Sequence, residues 1–144
     1  MKILFVQDHL KSGGAARAAD RWARLLARAG RKVRQVAGDE ASATSPPLTG
    51  KPARGWGRGL EYFSERMLAR KNKVNQQLGN ILQEERHDLI WFHNLAGGGK
   101  WGWSEEMITI ARGQAPVLWT LHDMWALGDN DQSYWEVNSV VVVS

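Results

Sequence analysis

Hydrophobic and polar residues follow two different rhythms along the chain, and each rhythm predicts a different kind of element. Short apolar runs rich in branched and aromatic residues are typical of strands that are buried on both faces of a sheet. One such run, KILFV at residues 2–6, predicts the first strand. Three further strands are predicted by KVRQVAG at 32–38, DLIWFHN at 88–94 and PVLWTLHD at 116–123.

The segments between these runs carry apolar residues at helical spacing. Positions 15, 18, 19, 22, 25, 26 and 29 mark one face of a helix that begins near Ala15 and stops at Gly30. A longer helix is predicted over roughly 60–85, and a short helix over 104–112 with Ser104 as its cap. The resulting βαβαβαβ order predicts an α/β fold with a parallel sheet and helices on both faces. Ligands bind such sheets at the carboxyl ends of the strands.

Two stretches do not fit the alternation. Residues 38–59 are rich in Pro, Gly, Ser and Thr and have no periodicity, which predicts a long flexible loop. The run from Val140 to Val143 predicts the next buried strand. A chain of 144 residues has the length of one domain.

Charge divides the chain into two unequal halves. Residues 1–75 hold 16 Lys and Arg against 6 Asp and Glu, whereas residues 76–144 hold 3 against 9, so the halves carry +10 and −6. The N-terminal half is therefore expected to attract anions, unless its basic residues only form a solvated surface. The sequence has no cysteine, which excludes disulfides and thiolate chemistry. It also lacks a long apolar window, and we expect a cytoplasmic protein.

Gly13 and Gly14 stand between the first predicted strand and the first predicted helix. The start of a helix offers free N–H groups, and glycine lets an anion approach the backbone without a side chain in between. The spacing is neither G-x-G-x-x-G nor a Walker motif, so the glycines alone do not identify a nucleotide. The alternative interpretation is a tight turn that needs a positive φ.

Histidines follow the next two predicted strands. His93 and Asn94 come after LIWF, and His122 and Asp123 come after LWTL. We expect both pairs at the same sheet edge as the two glycines, although a histidine at a strand end is often only a structural hydrogen-bonding residue. No His-x-His or H-E-x-x-H spacing is present, so we predict no metal site. Asp129-x-Asp131 is interpreted as an ordinary acidic turn.

These segments resemble a known family. KILFVQDHLKSGGAARAADRWARLLARAGRKV, DLIWFHNLAGGG and APVLWTLHDMWAL are similar to the opening of glycosyltransferase family 4 proteins, over most of residues 1–127. The resemblance implies the N-terminal, acceptor-side domain of a GT-B enzyme, which has two Rossmann-like domains. Such an enzyme transfers a sugar from a nucleotide-sugar to a polysaccharide or lipid-linked acceptor, retains the anomeric configuration and needs no cofactor.

The resemblance also implies residue roles. Gly13 and Gly14 would face the donor phosphates, and His122 would be the catalytic residue beside the transferred sugar. The acceptor side and pocket would be formed by His93, Asn94, Asp123 and Trp125. The C-terminal nucleotide-sugar domain of the family has no counterpart in residues 1–144, so we expect an incomplete single domain that is inactive alone and self-associates through its exposed interdomain face.

Two basic groups suggest a further partner. Arginines at 17, 21, 24, 28 and 31 line the first predicted helix, and Arg66, Arg70, Lys71 and Lys73 cluster on the long one. In family members that act at membranes, such patches contact anionic lipid, which predicts a peripheral position at the inner membrane face. Two alternatives stay open: a dinucleotide-binding domain of an oxidoreductase, for which Asp39 is well placed but the glycine spacing is wrong, and a basic nucleic-acid-binding module. We do not expect a nucleic-acid partner, since no known module pattern is present.

Overall fold

The structure is a computed structural model, and it describes residues 1–11, 13–38, 48, 60–93, 104, 106–122 and 139–143. For residues 60–67 and 139–143 the description is limited to secondary structure and strand pairing. In chain order the elements are β1 (Lys2–Gln7), α1 (Gly13–Arg28), β2 (Lys32–Ala37), α2 (Leu60–Glu84), β3 (Leu89–His93), α3 (Glu106–Arg112), β4 (Val117–Leu121) and β5 (Ser139–Val143). Within these ranges no helix has the length and apolar character needed to cross a membrane.

The strands form one sheet in the order β2-β1-β3-β4-β5. The first four strands are parallel, with Phe5 opposite Gln35 on one side and opposite Trp91 on the other. This sheet with its helices is Rossmann-like, and the predicted α/β fold is confirmed. The chain order turns back at β1, because β2 and β3 pair with opposite edges of that strand. A crevice for ligands is expected at this reversal.

The strand at the C-terminal end differs from the rest of the sheet. β5 lies where the valine run predicts a strand, but it pairs antiparallel to β4, with Val117 opposite Val143. An all-parallel sheet is therefore the wrong expectation for this edge. A strand parallel to β4 must start at the amino ends of the strands, so the chain has to cross back there first, usually through a helix. The sequence between β4 and β5 has no apolar residues at helical spacing.

Helices cover both faces of the sheet, as the alternation of strand side chains requires. Ile3 and Phe5 lie in one core with Ala19 and Ala23 of α1. The intervening strand residues, such as Leu4 and Val6, lie in a second core with α2 and α3. Because successive strand residues point to opposite faces, every second residue of β1 and β3 belongs to the α1 side. The buried positions of α2 in the second core are Val74, Leu78, Ile81 and Leu82, all on the predicted face.

The face of α1 that meets the sheet is narrower than its apolar spacing predicts. Ala16, Ala19 and Ala23 are buried, whereas Trp22 and Leu25 are 49% and 54% exposed. The predicted face therefore includes two large residues that lie on an exposed flank. Alanine is small enough for the helix backbone to approach the sheet closely, so the alanine row makes the contact and the bulky residues flank it.

A small ion-pair group connects the end of α2 to the amino ends of β1 and β2. Glu85 Oε1 lies 2.8 Å from Lys32 Nζ and 3.0 Å from Lys2 Nζ. Hydrogen bonds from Lys32 and then from Lys2 hold the pKa of Glu85 at about 2. This group lies at the edge of the sheet opposite the carboxyl ends of the strands, so it does not belong to the predicted site.

Helix α3 begins differently from the sequence prediction. The backbone carbonyl of Ser104 accepts a hydrogen bond from the N–H of Met107 at 3.0 Å. The Ser104 hydroxyl is buried and has no hydrogen-bond partner in the part of the chain that the structure describes, so the predicted side-chain cap is not formed. An ion pair connects the start of α3 to α2, because the carboxylate of Glu106 lies 2.8 Å from Lys71 Nζ.

Leu48 lies within the segment that the composition predicts as a flexible loop. Its side chain is 1% exposed and belongs to the core beneath α2, and its N–H donates to the carbonyl of Ala37 at 2.8 Å. One position of this segment is therefore part of the core. Residues 39–47 and 49–59 lie outside the described part of the chain.

Candidate functional site

The carboxyl ends of β1 and β3 meet the start of α1 at the point where the strand order reverses. A pocket of about 120 Å³ lies there. Its lining comes from the end of β1 and the following loop, the first turn of α1 and the end of β3: Gln7, Asp8, His9, Gly13, Gly14, Ala15, Ala16 and His93. Pockets that enclose a drug-sized ligand are larger, at roughly 300–1,000 Å³. The described pocket therefore has room for a small polar ligand or for one polar group of a larger ligand.

Gly13 and Gly14 form the first turn of α1, two residues before the predicted start of that helix. Gly13 has a φ of 88°, which side-chain-bearing residues rarely adopt, so the turn interpretation of this glycine is borne out. A Cβ built on either glycine meets nothing within 4 Å. The open space and the free N–H groups of a helix start leave the backbone accessible to a ligand. The two interpretations of the glycine pair are therefore compatible: Gly13 makes a turn, and the start of the helix is open to a ligand.

His93 is fully buried at the end of β3 and lies beside His122. Its Nδ1 is 3.2 Å from Nε2 of His122, and the two rings lie edge to edge with 26° between their planes and centroids 5.5 Å apart. Burial is the main reason that the pKa of His93 falls to about 3, and repulsion from His122 lowers it further. His93 is therefore neutral near pH 7, with one ring nitrogen as donor and the other as acceptor.

A column of aromatic rings on the α1 side of the sheet fixes the position of His93. Its ring stacks on Trp91 with centroids 5.0 Å apart and lies 5.1 Å from the ring of Phe5. Trp91 is itself held by a hydrogen bond of 2.8 Å from its Nε1 to the hydroxyl of Thr120. These contacts restrict the imidazole of His93 to one place, so its nitrogens are presented in fixed directions.

Buried polar atoms on two neighbouring strands of the pocket have no hydrogen-bond partner within the described residues. They are Oε1 of Gln7 and Nε2 of His93. The amide nitrogen of Gln7 donates to Oε1 of Gln35 at 3.1 Å, which holds the Gln7 side chain. Buried polar groups in folded proteins almost always have partners. Gln7 Oε1 and His93 Nε2 are therefore positioned to bind a polar group that enters the pocket.

The structure brings together all four of the sequence-predicted site residues that it describes. Gly13, Gly14 and His93 line the same pocket, and His122 adjoins that pocket through His93. Asn94, Asp123 and Trp125 lie outside the described residues. No group of three or more possible metal ligands occurs in the described ranges.

Sequence reasoning missed Gln7, Asp8 and His9, which also line the pocket. The signal was present, because these residues directly follow the apolar run of β1 and therefore stand at the carboxyl edge of the sheet. Asp8 adds a mostly buried carboxylate, 8% exposed, to the lining. Such a carboxylate accepts hydrogen bonds from hydroxyl groups, so the pocket combines helix N–H donors with side-chain acceptors.

Comparison with models of known protein families gives no match for this chain, and no curated protein matches it significantly.

Proposed function

We propose that the chain is the N-terminal, acceptor-side domain of a retaining glycosyltransferase that transfers a sugar from a nucleotide-sugar to a saccharide or lipid-linked acceptor. One observation carries this proposal: the glycine pair, His93 and His122, which the family resemblance selects from three separate segments, lie together at the carboxyl edge of the sheet. Ligand sites of open α/β sheets occupy this position.

The chemistry of the pocket suits a ligand that carries both phosphate and hydroxyl groups. The N–H groups at the start of α1 are suited to donor phosphates near Gly13 and Gly14. The negatively charged carboxylate of Asp8 repels an anion. It accepts hydrogen bonds from hydroxyl groups, so it favours the hydroxyls of the sugar over the phosphates. We assign His122 as the catalytic residue beside the transferred sugar, and Asn94, Asp123 and Trp125 to the acceptor side.

Transfer in the proposed enzyme also needs a second domain for the nucleotide. The small volume of the pocket agrees with this requirement, because it accommodates only part of a nucleotide-sugar. We therefore expect weak binding of a nucleotide-sugar by residues 1–144 and no efficient transfer by them alone. The proposed location is cytoplasmic, against an anionic membrane that α1 contacts through its arginines and its exposed Trp22 and Leu25.

Ligand-observed NMR with this chain tests the proposal directly. UDP-glucose, GDP-mannose, the matching nucleoside diphosphates and NADH are each added, and saturation transfer to the ligand is measured. A Gly14→Trp variant should abolish the transfer, since a Cβ has room at this position and the indole would fill the open space over the pocket. Ala27→Trp, at an exposed position in the last turn of the same helix, is the matched control and should bind as the wild type does.

Each outcome decides between the candidate functions. Binding of nucleotide-sugars that is lost in Gly14→Trp and kept in Ala27→Trp supports the glycosyltransferase proposal. Binding of NADH alone would instead favour the dinucleotide-binding oxidoreductase. Absence of any nucleotide binding, or equal binding by both variants, would contradict a donor site at the glycine pair.

A further inference from the structure

Gln7 and His93 occupy matching positions on neighbouring strands. They are register partners in the pairing of β1 with β3, and both side chains lie on the α1 side of the sheet. Neighbouring strands are about 4.8 Å apart, so side chains that leave them side by side can reach a common atom. The two unpartnered atoms, Oε1 of Gln7 and Nε2 of His93, belong to this pair.

The hydrogen bond between the two histidines restricts what His93 Nε2 can be. The tautomers of two neutral rings are coupled through this bond. If His122 Nε2–H donates to His93 Nδ1, each ring carries its proton on Nε2, and His93 Nε2 is a donor. If His93 Nδ1–H donates instead, both rings carry the proton on Nδ1, and His93 Nε2 is an acceptor. The two rings therefore change tautomer together.

We propose that Gln7 and His93 jointly bind one hydroxyl group of a saccharide, and that this contact fixes His93, and through it His122, in the Nε2–H tautomer. A hydroxyl accepts from His93 Nε2–H and donates to Gln7 Oε1, so one group satisfies both buried atoms. His93 is thus a positioning residue for His122, whose Nδ1 is left as the acceptor nitrogen. The proposal rests on the proposed function in one respect, that the ligand is a sugar.

The donor sugar and the acceptor saccharide both carry alcohol hydroxyls, whereas inorganic pyrophosphate carries none. The probes are therefore UDP-glucose, the methyl glycosides of glucose, galactose and mannose, and inorganic pyrophosphate. Long-range ¹H–¹⁵N correlation spectra report the tautomer of each of the four histidine rings directly. The His87 ring, buried before β3 and away from the pocket lining, is the internal control and should not respond.

Two pairs of variants separate the contact from general effects on the fold. Gln7→Leu removes the acceptor itself, whereas Gln35→Leu removes the hydrogen bond to the Gln7 amide nitrogen and leaves the Gln7 acceptor in the protein. His93→Phe keeps an aromatic ring in the column and removes both nitrogens, and His87→Phe is its control at another buried histidine. Amide spectra of all variants establish that each is folded before probes are added.

We expect a saccharide probe to drive the rings of His93 and His122 together into the Nε2–H form, with pyrophosphate giving no such change. Gln7→Leu should weaken the response about tenfold, the equivalent of one lost hydrogen bond, and Gln35→Leu should retain it. In His93→Phe, the His122 ring should not respond to a saccharide probe. A response to the glycosides assigns the hydroxyl to an acceptor, and a response to UDP-glucose alone assigns it to the donor sugar.

Three results would overturn the inference: ring signals that no saccharide changes, rings that respond independently of each other, or a response that Gln7→Leu does not weaken. If nucleotide-sugars bind at the glycine pair while the rings do not respond, this inference alone fails. If glycosides fix the tautomer but no nucleotide-sugar binds, the inference stands and the proposed donor site fails.

Discussion

At the scale of single residues, the site depends on a buried imidazole that stays neutral. His93 is enclosed by Phe5, Trp91 and His122, and this burial, followed by repulsion from His122, lowers its pKa to about 3. A neutral ring can donate and accept at once, which a protonated ring cannot. The same low pKa makes the folded protein less stable at low pH, because the His93 side chain binds a proton in the unfolded chain but not in the folded protein.

The pH dependence of stability should report this cost. An exposed histidine in the unfolded chain has a pKa near 6.5, so between pH 6.5 and about 3 the unfolded state holds the additional proton. The free energy of unfolding should therefore fall as the pH is lowered, and His93 accounts for up to about 2 kcal/mol between pH 6.5 and 5. Urea denaturation at both pH values, followed by tryptophan fluorescence, measures the loss.

The His93→Phe variant isolates the contribution of His93 to this loss. Its free energy of unfolding should fall less on acidification than that of the wild type. His87 is the comparison, since burial lowers its pKa in the same direction. His87→Phe should keep the full contribution of His93. Equal acid sensitivity of the wild type and His93→Phe would show that His93 is not a neutral buried group.

At the scale of elements, α1 is positioned by its smallest side chains. Ala16, Ala19 and Ala23 lie against the sheet, and this close approach places the first turn of the helix beside the end of β3. Glycines open that first turn, and the aromatic column under the helix holds the histidine. The pocket is thus a consequence of how near the helix lies to the sheet.

Enlarging the central alanine should disturb this arrangement. Ala19 is fully buried, so Ala19→Leu introduces three carbon atoms where the core has no space and should cost about 1–3 kcal/mol in unfolding free energy. Ala27→Leu, at an exposed position of the same helix, should change stability by less than about 0.5 kcal/mol. Thermal denaturation of the two variants beside the wild type measures both effects, and equal stability of both would contradict the close contact.

At the scale of the whole molecule, the charge asymmetry and the exposed flank of α1 both favour contact with an anionic membrane. The half that carries +10 contains α1, whose Trp22 and Leu25 are exposed and whose Arg21 and Arg28 are also exposed. Apolar residues beside arginines are typical of helices that lie on an anionic membrane. Self-association of the chain through an interdomain face stays a prediction.

Vesicle sedimentation tests the membrane contact. We expect the chain to sediment with vesicles that contain anionic lipid, to be released by salt, and to remain in the supernatant with neutral vesicles. A Trp22→Ala, Leu25→Ala double variant should bind at least about fivefold more weakly, because it loses apolar area that enters the lipid. Leu68→Ala, which removes an exposed leucine of α2, is the control. Equal binding to both vesicle types would contradict a membrane role.

The sequence by itself determined the number and order of the first seven elements, because the spacing of apolar residues is a local property that each strand and helix must satisfy alone. It also placed Gly13, His93 and His122 at ends of elements, and period-two alternation puts Trp91 and His93 on one face. Only the tertiary structure decided the strand order, the reversed direction of β5, the alanine contact of α1 and the direct contact between the histidines. These features depend on which distant segments of the chain pack together. The spacing of residues within one segment does not determine which of these long-range contacts form.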